Sequence, residues 1–345
     1  MGSIQNSILV LVVLFTVLSC TSKKGADKVN LSVIASSDKD WTGIAISRES
    51  RMFVNYPKWS DNVPVSVAEI VGGKPVAYPN LKWNSRKEEE AFVAVQSVVI
   101  DDKNRLWILD TRNPQFRGVN KGGPKLFQFN LETDSKENVY SFPQGVFQPD
   151  SYFNDVRIDT EYEIAYITDS GNGALVVLDL KTGNSRRLLD QHISTQSEVD
   201  YLVCDGIKWE NTVHSDGIAL TPDKQFLYYI ALTGHTLYRV STKALNNDTL
   251  KDNELAPKVE KVCTIPATDG MMFDKEGNLW LGGLEDNSIN LLKKDGTLEK
   301  VVKDDIIRWA DSFAFDKEGN VYFTTSQIHL PINQRKEYQV IKLSR

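Results

Sequence analysis

The chain has few of the residues on which compact catalytic or metal chemistry usually rests. Its 345 residues include only 3 cysteines, 4 histidines and 4 methionines. No cysteine has a Cys or His neighbour at metal-ligand spacing, so a zinc-type cluster is excluded by pattern. Cys204 and Cys263 stand either as a disulfide of an exported protein or as two half-buried free thiols, and spacing alone does not choose. No Gly-x-Ser-x-Gly elbow, phosphate-binding loop or paired-His helix occurs, so no signature of nucleophilic or nucleotide chemistry is present. Runs of like charge are missing, and the net charge is −6. That balance counts against a nucleic-acid partner, which needs a basic face. Long amphipathic helices are missing too; the most helix-like stretch, residues 87–93, is short.

What the chain does have begins at its N-terminus. Residues 8–18 are almost uninterruptedly apolar, a run too short to span a bilayer comfortably. They read as the core of a secretory signal, although residues 1–7 carry no Lys or Arg. The run ends in Val17-Leu18-Ser19-Cys20, a small residue followed by cysteine, the arrangement of a bacterial lipoprotein signal. The expectation is a signal peptide over residues 1–19, lipidation of Cys20, a linker over 20–28 and one folded domain over 29–345. A diacylated cysteine anchors stably where one chain does not. The protein is therefore expected to be exported and held on a membrane.

The domain is organised by a short motif that recurs six times. Its copies are Trp41-Thr42-Gly43-Ile44, Val95-Gln96-Ser97-Val98, Phe153-Asn154-Asp155-Val156, Ser215-Asp216-Gly217-Ile218, Thr268-Asp269-Gly270-Met271 and Ala310-Asp311-Ser312-Phe313. Several copies lead into a turn rich in Asp, Asn, Gly or Pro, such as Asp274-Lys275-Glu276-Gly277-Asn278. Second strands follow, rich in aromatic and β-branched residues, such as Arg105-Leu106-Trp107-Ile108-Leu109. Third strands are visible in Lys125-Leu126-Phe127 and Leu175-Val176-Val177. Units of about four strands at a period of 40 to 60 residues are the signature of propeller blades. The predicted fold is an all-β, six-bladed propeller. The sixth unit is short, and residues 29–34 are expected to supply its outer strand and close the ring. A pair of β-sandwiches accounts for the number of strands but not for the sixfold motif.

The innermost strand of a blade lines the central channel, so the second motif residue is expected at one channel mouth. Those residues are Thr42, Gln96, Asn154, Asp216, Asp269 and Asp311, all polar within apolar stretches. Buried polar groups are costly unless paired or used, and clustered carboxylates repel without a cation or protons. Asp216, Asp269 and Asn154 are therefore candidate ligands for Ca²⁺ or Mg²⁺, which prefer oxygen donors. Asn154, Gln96 and Thr42 are candidate substrate contacts. Asp311 and His214 are candidate proton carriers. The competing reading is that Asp or Asn before Gly only caps turns.

Longer stretches resemble the Yellow / major royal jelly protein family. They include Val65-Ser66-Val67-Ala68-Glu69-Ile70, Phe92-Val93-Ala94-Val95-Gln96-Ser97-Val98-Val99-Ile100-Asp101, Ala165-Tyr166-Ile167-Thr168-Asp169-Ser170-Gly171 and Leu232-Thr233-Gly234-His235-Thr236-Leu237-Tyr238-Arg239-Val240. The resemblance runs over roughly residues 65–330 and implies an exported six-bladed propeller. In that family some members isomerise dopachrome and others bind small amines in the channel. A local resemblance to gluconolactonase / senescence-marker propellers lies in Asp269-Gly270-Met271, Ser215-Asp216-Gly217 and Phe153-Asn154-Asp155, and implies a metal-assisted lactonase. Blade one departs from it, with Thr42 where that family has a metal-binding Glu.

Two functions follow as expectations. One is conversion of a small cyclic substrate, by lactone hydrolysis or dopachrome-type isomerisation with a divalent cation. The other is non-catalytic binding of a small amine or aromatic molecule between carboxylates and rings, with Trp107, Phe153, Trp309 and Phe313 as candidate walls. A third, macromolecular binding through loops such as residues 112–123, is weighed beside them. The partner is expected to be a small molecule rather than nucleic acid, and the protein a monomer.

Overall fold

The computed structural model describes residues 1–2, 29–85 and 91–345. The signal, Cys20 and part of the helix-like stretch lie outside the described residues.

Among the described residues, six four-stranded antiparallel sheets form in chain order, each a meander of neighbouring strands. The inner strands of blades one to six are Ile44–Ile46, Val95–Ile100, Phe153–Asp159, Ser215–Leu220, Met271–Phe273 and Ala310–Phe315. The sixth sheet is closed by the N-terminal strand Asn30–Ser37, which pairs with the C-terminal strand Tyr338–Ser344 from Asn30↔Ser344 to Ser37↔Tyr338. First and last segments thus share one blade, which is the closure expected from the short sixth unit.

The core lies between blades rather than within one layer. Each seam buries its own cluster: Phe53, Phe92, Phe127 and Phe129 between blades one and two; Tyr166, Tyr229 and Leu227 between three and four; Trp41, Val54 and Val340 at the seam of six with one. Strands buried on both faces read as the continuous apolar runs seen in the sequence. Hydrogen bonds also stitch blade to blade near the axis. Asn55 Nδ2 donates to Gln96 O at 3.0 Å, and Thr168 Oγ1 donates to Asp216 O at 2.7 Å. Thr324 Oγ1 donates to Thr42 O, joining the last blade to the first.

Two details of the motif have a geometric cause. In blades two, three, four and six the inner strand shifts register at the second motif residue. Such bulges re-aim a side chain out of the ladder, here toward the channel mouth. The glycine that follows Asp216 and Asp269 allows neighbouring blades to touch. A Cβ on Gly217 would lie 2.3 Å from Asp269 O, and one on Gly270 would lie 2.2 Å from Asp311 O. The Asp-Gly pairs therefore mark close approach of backbones and not only turn capping.

Cys204 and Cys263 are both free thiols. Burial pushes the Cys204 thiol up to about 12, which keeps it protonated and unreactive.

Candidate functional site

A cavity of about 370 Å³ opens at the channel mouth formed by the starts of the inner strands. Its lining includes Gln96, Asn154, Asp216, Asp269 and Asp311, so five of the six second-position residues meet there. Thr42 does not reach the lining. It is 1% exposed, its hydroxyl donates to Gln96 O at 3.2 Å and accepts from Asn55 Nδ2 at 2.8 Å. The Asn55 amide draws it into the seam between blades one and two, so Thr42 holds the wall rather than a substrate.

The lining side chains form a directed chain of hydrogen bonds. Trp59 Nε1 donates to the Tyr152 hydroxyl at 2.8 Å, which donates to Gln96 Oε1 at 2.7 Å. Gln96 Nε2 donates to Asn154 Oδ1 at 3.3 Å, and Asn154 Nδ2 donates to Asp216 Oδ2 at 2.6 Å. Asp216 shares a hydrogen bond with Asp269, whose Oδ2 accepts from Trp309 Nε1 at 2.7 Å. Asp311 accepts from the Ser326 hydroxyl, and from Ser312 Oγ at 3.2 Å.

Electrostatics follow from burial. Asp216 and Asp311 are 4% and 5% exposed, and Asp269 keeps only a small face in the cavity. Burial, then repulsion from Asp311 and other neighbouring carboxylates, raises Asp216 and Asp269 well above the usual carboxylate range. Burial likewise lifts Asp311 to about 7, against the opposing bonds from Ser326 and Ser312. Carboxyls this close hold protons until a cation replaces them.

The walls are aromatic. Phe116 stacks on Tyr152 at 4.7 Å and faces Trp59 at 6.4 Å, while Trp209 stands across the mouth. None of these four is among the walls expected from the sequence. Trp107, Phe153 and Phe313 are buried in the seams, and Trp107 spends its indole N–H on Asp101. Trp309 is fully buried as well and is not part of the lining, although it bonds the lining residue Asp269. The true walls sit on connections between the blade strands, Trp209 on a short hairpin, where the blade motif gives no signal; only the loop of residues 112–123, which carries Phe116, is among the candidates that the sequence offers. His214 is displaced as well. Its Nδ1 accepts from the Ser197 backbone N–H at 3.1 Å, and it is not part of the lining. Burial lowers its basicity, and its place outside the lining leaves no cavity contact for it.

The donor set does not fit a divalent ion. Asn154 turns its N–H toward Asp216 and gives its oxygen to Gln96, and one Asp269 oxygen is taken by Trp309. Among the described residues no three His, Cys, Asp or Glu side chains gather as a metal cage. The arrangement suits a ligand that carries its own N–H donors, such as an ammonium group, which binds carboxylates without a coordination geometry.

The family model described as Major royal jelly protein matches residues 93–343. Among relatives, the Yellow-related salivary protein SP04 of Phlebotomus argentipes is 26% identical over 261 residues, covering 67% of this chain and 65% of that protein. Major royal jelly protein 6 of Apis mellifera is 24% identical over 309 residues, covering 80% of this chain and 67% of that protein. The chain thus spans about two thirds or less of the relatives it matches. Among solved structures, a gluconolactonase from Xanthomonas campestris aligns with a TM-score of 0.59 at 13% identity, over 92% of this chain and 90% of the other. A luciferin-regenerating enzyme aligns with a TM-score of 0.60 at 13% identity, over 92% and 96%. At that identity the structural likeness speaks for the fold alone.

Proposed function

The chain belongs to the major royal jelly protein family, and from that premise we propose that it is an exported propeller that binds a small organic cation with a ring-bearing body. One observation carries the reading: three carboxyls, Asp216, Asp269 and Asp311, whose proton affinity is raised by burial and by neighbouring carboxylates, line a cavity walled by Trp59, Phe116, Tyr152 and Trp209. An ammonium group exchanges with protons at the floor, and the ring packs on the aromatic wall by stacking. The test is a thermal-shift and calorimetric screen of primary amines, lactones, dopachrome, Ca²⁺ and Mg²⁺. Amines are expected to raise the melting temperature, and Asp216→Asn to reduce that shift by at least half. A shift from Ca²⁺ or Mg²⁺ with none from amines would replace the organic cation by a metal.

A second reading, conversion of the bound molecule by proton transfer, is favoured by Asp311. A carboxyl near 7 is matched to acid–base work at neutral pH. Turnover of dopachrome that disappears in Asp311→Asn while amine binding persists would support it.

We further propose that export ends in lipidation at Cys20. Relatives named as salivary and royal jelly proteins support export, and the Ser19-Cys20 junction supports the anchor. Cys20→Ser is expected to move the protein from the membrane to the soluble fraction, and an unchanged distribution would remove the anchor.

A further inference from the structure

The connection between blades three and four carries a structure of its own. Tyr201–Cys204 and Ile207–Glu210 pair as a hairpin outside the blades. Its inward residues Leu202 and Cys204 pack on Leu232, Ala267, Leu284 and Trp309. The hairpin therefore crosses the site face from its own connection onto blades four, five and six.

Its tip is fastened by one side chain. Asp205 accepts from Asn287 Nδ2 of blade five and from His329 Nε2 of blade six, the latter at 2.9 Å, with Arg308 Nε at 3.8 Å. The imidazole of His329 is 1% exposed and stacks on Trp309 at 5.5 Å and 13°. Beyond the tip, Trp209 meets Trp309 edge-on at 4.9 Å and enters the cavity lining. Trp309 has φ 58, a left-handed conformation that a bulky residue keeps only when its surroundings impose it. Those surroundings are the His329 stack, the Trp209 edge and the bond to Asp269. From Asp205 to Asp269 the contacts are thus continuous.

We infer that Asp205 is a positioning residue for the cavity: by pinning the hairpin tip to His329 and Asn287 it sets Trp209 as the wall that selects ring-bearing cations. The inference rests on reading the cavity as an organic-cation site. Trp209 contributes a ring surface and no charge, so its loss discriminates ligands by their ring and not by their ammonium group.

The test measures benzylamine and butylamine binding to the full chain by calorimetry, with acrylamide quenching of tryptophan emission alongside. Asp205→Ala is expected to weaken benzylamine about tenfold, roughly one aromatic contact, and to leave butylamine within about twofold. Asp205→Asn, which keeps one acceptor, is expected to recover part of that loss. Quenching is expected to rise in Asp205→Ala and to show no such rise in a Trp209→Phe background. Equal losses for both amines, or no loss for either, would overturn the inference. Should wild type bind neither amine, the organic-cation reading fails by itself. Unchanged quenching in Asp205→Ala would then overturn the positioning role separately. If Asp205→Ala does not fold, Asp205→Asn and His329→Gln carry the same comparison.

Discussion

Three carboxyls in one pocket make the site depend on protons. A buried Asp whose pKa is raised in the fold binds more protons folded than unfolded, so its contribution is largest below the ordinary carboxylate pKa. That contribution is lost as pH rises through the folded value. For Asp311 the folded value is about 7, and Asp216 and Asp269 are displaced in the same direction. The free protein is therefore expected to melt higher at pH 5 than at pH 8, with about 1.4 kcal/mol at stake for each tenfold gain in proton affinity on folding. Asp311→Asn should flatten that slope. Amine affinity should run the opposite way and strengthen from pH 6 to pH 8, because an ammonium ion competes with the protons. Melting curves and titrations across this range test both signs, and a free protein that gains stability toward pH 8 would contradict the assignment.

At the scale of the element, the sequence carries the inner strands clearly and the loops hardly at all. The six-copy motif marks which strand faces the axis, and it brings Gln96, Asn154, Asp216, Asp269 and Asp311 to one cavity. The motif does not show that Thr42 turns into a seam, because the cause is Asn55 on the neighbouring strand, 13 residues away. Nor does it show the bulges that aim the other side chains, since a bulge is a mismatch between two strands and not a property of one. The aromatic wall is invisible for another reason. Trp59, Phe116 and Trp209 come from three separate connections, and no period relates them. Trp107, Phe153 and Phe313 look equally suitable by residue type, but alternation places them in the seams. The hairpin of residues 201–210 is likewise illegible in the sequence. Its strands are four residues each, and its role comes from Asp205 meeting blades five and six.

At the scale of the whole molecule, the ring is only as firm as its seam. Five blades are covalently continuous, whereas the sixth is completed by Asn30–Ser37 pairing with Tyr338–Ser344. This seam touches the site directly. Thr324 bonds Thr42 O across it, Ser326 bonds both Trp41 O and Asp311, and Asp40 adds its repulsion to Asp311. Opening the seam should therefore lower stability and disturb the cavity together. The closing strand offers a controlled pair of substitutions. Ala35 is 5% exposed and packs with Trp41, Tyr322 and Val340, whereas Val33 on the same strand is 43% exposed. Ala35→Asp buries an unpaired charge in the seam and is expected to lower the melting temperature by about 10 °C, as a loss of several kcal/mol would in a domain of this size. It should also weaken amine binding, because Ser326, which bonds both Trp41 O and Asp311, loses its fixed position. Val33→Asp puts the same charge in water and is expected to change neither. Calorimetric melting and an amine titration on the two variants decide the matter: equal behaviour of Ala35→Asp and Val33→Asp would mean that the N-terminal strand decorates the sixth blade without closing the ring.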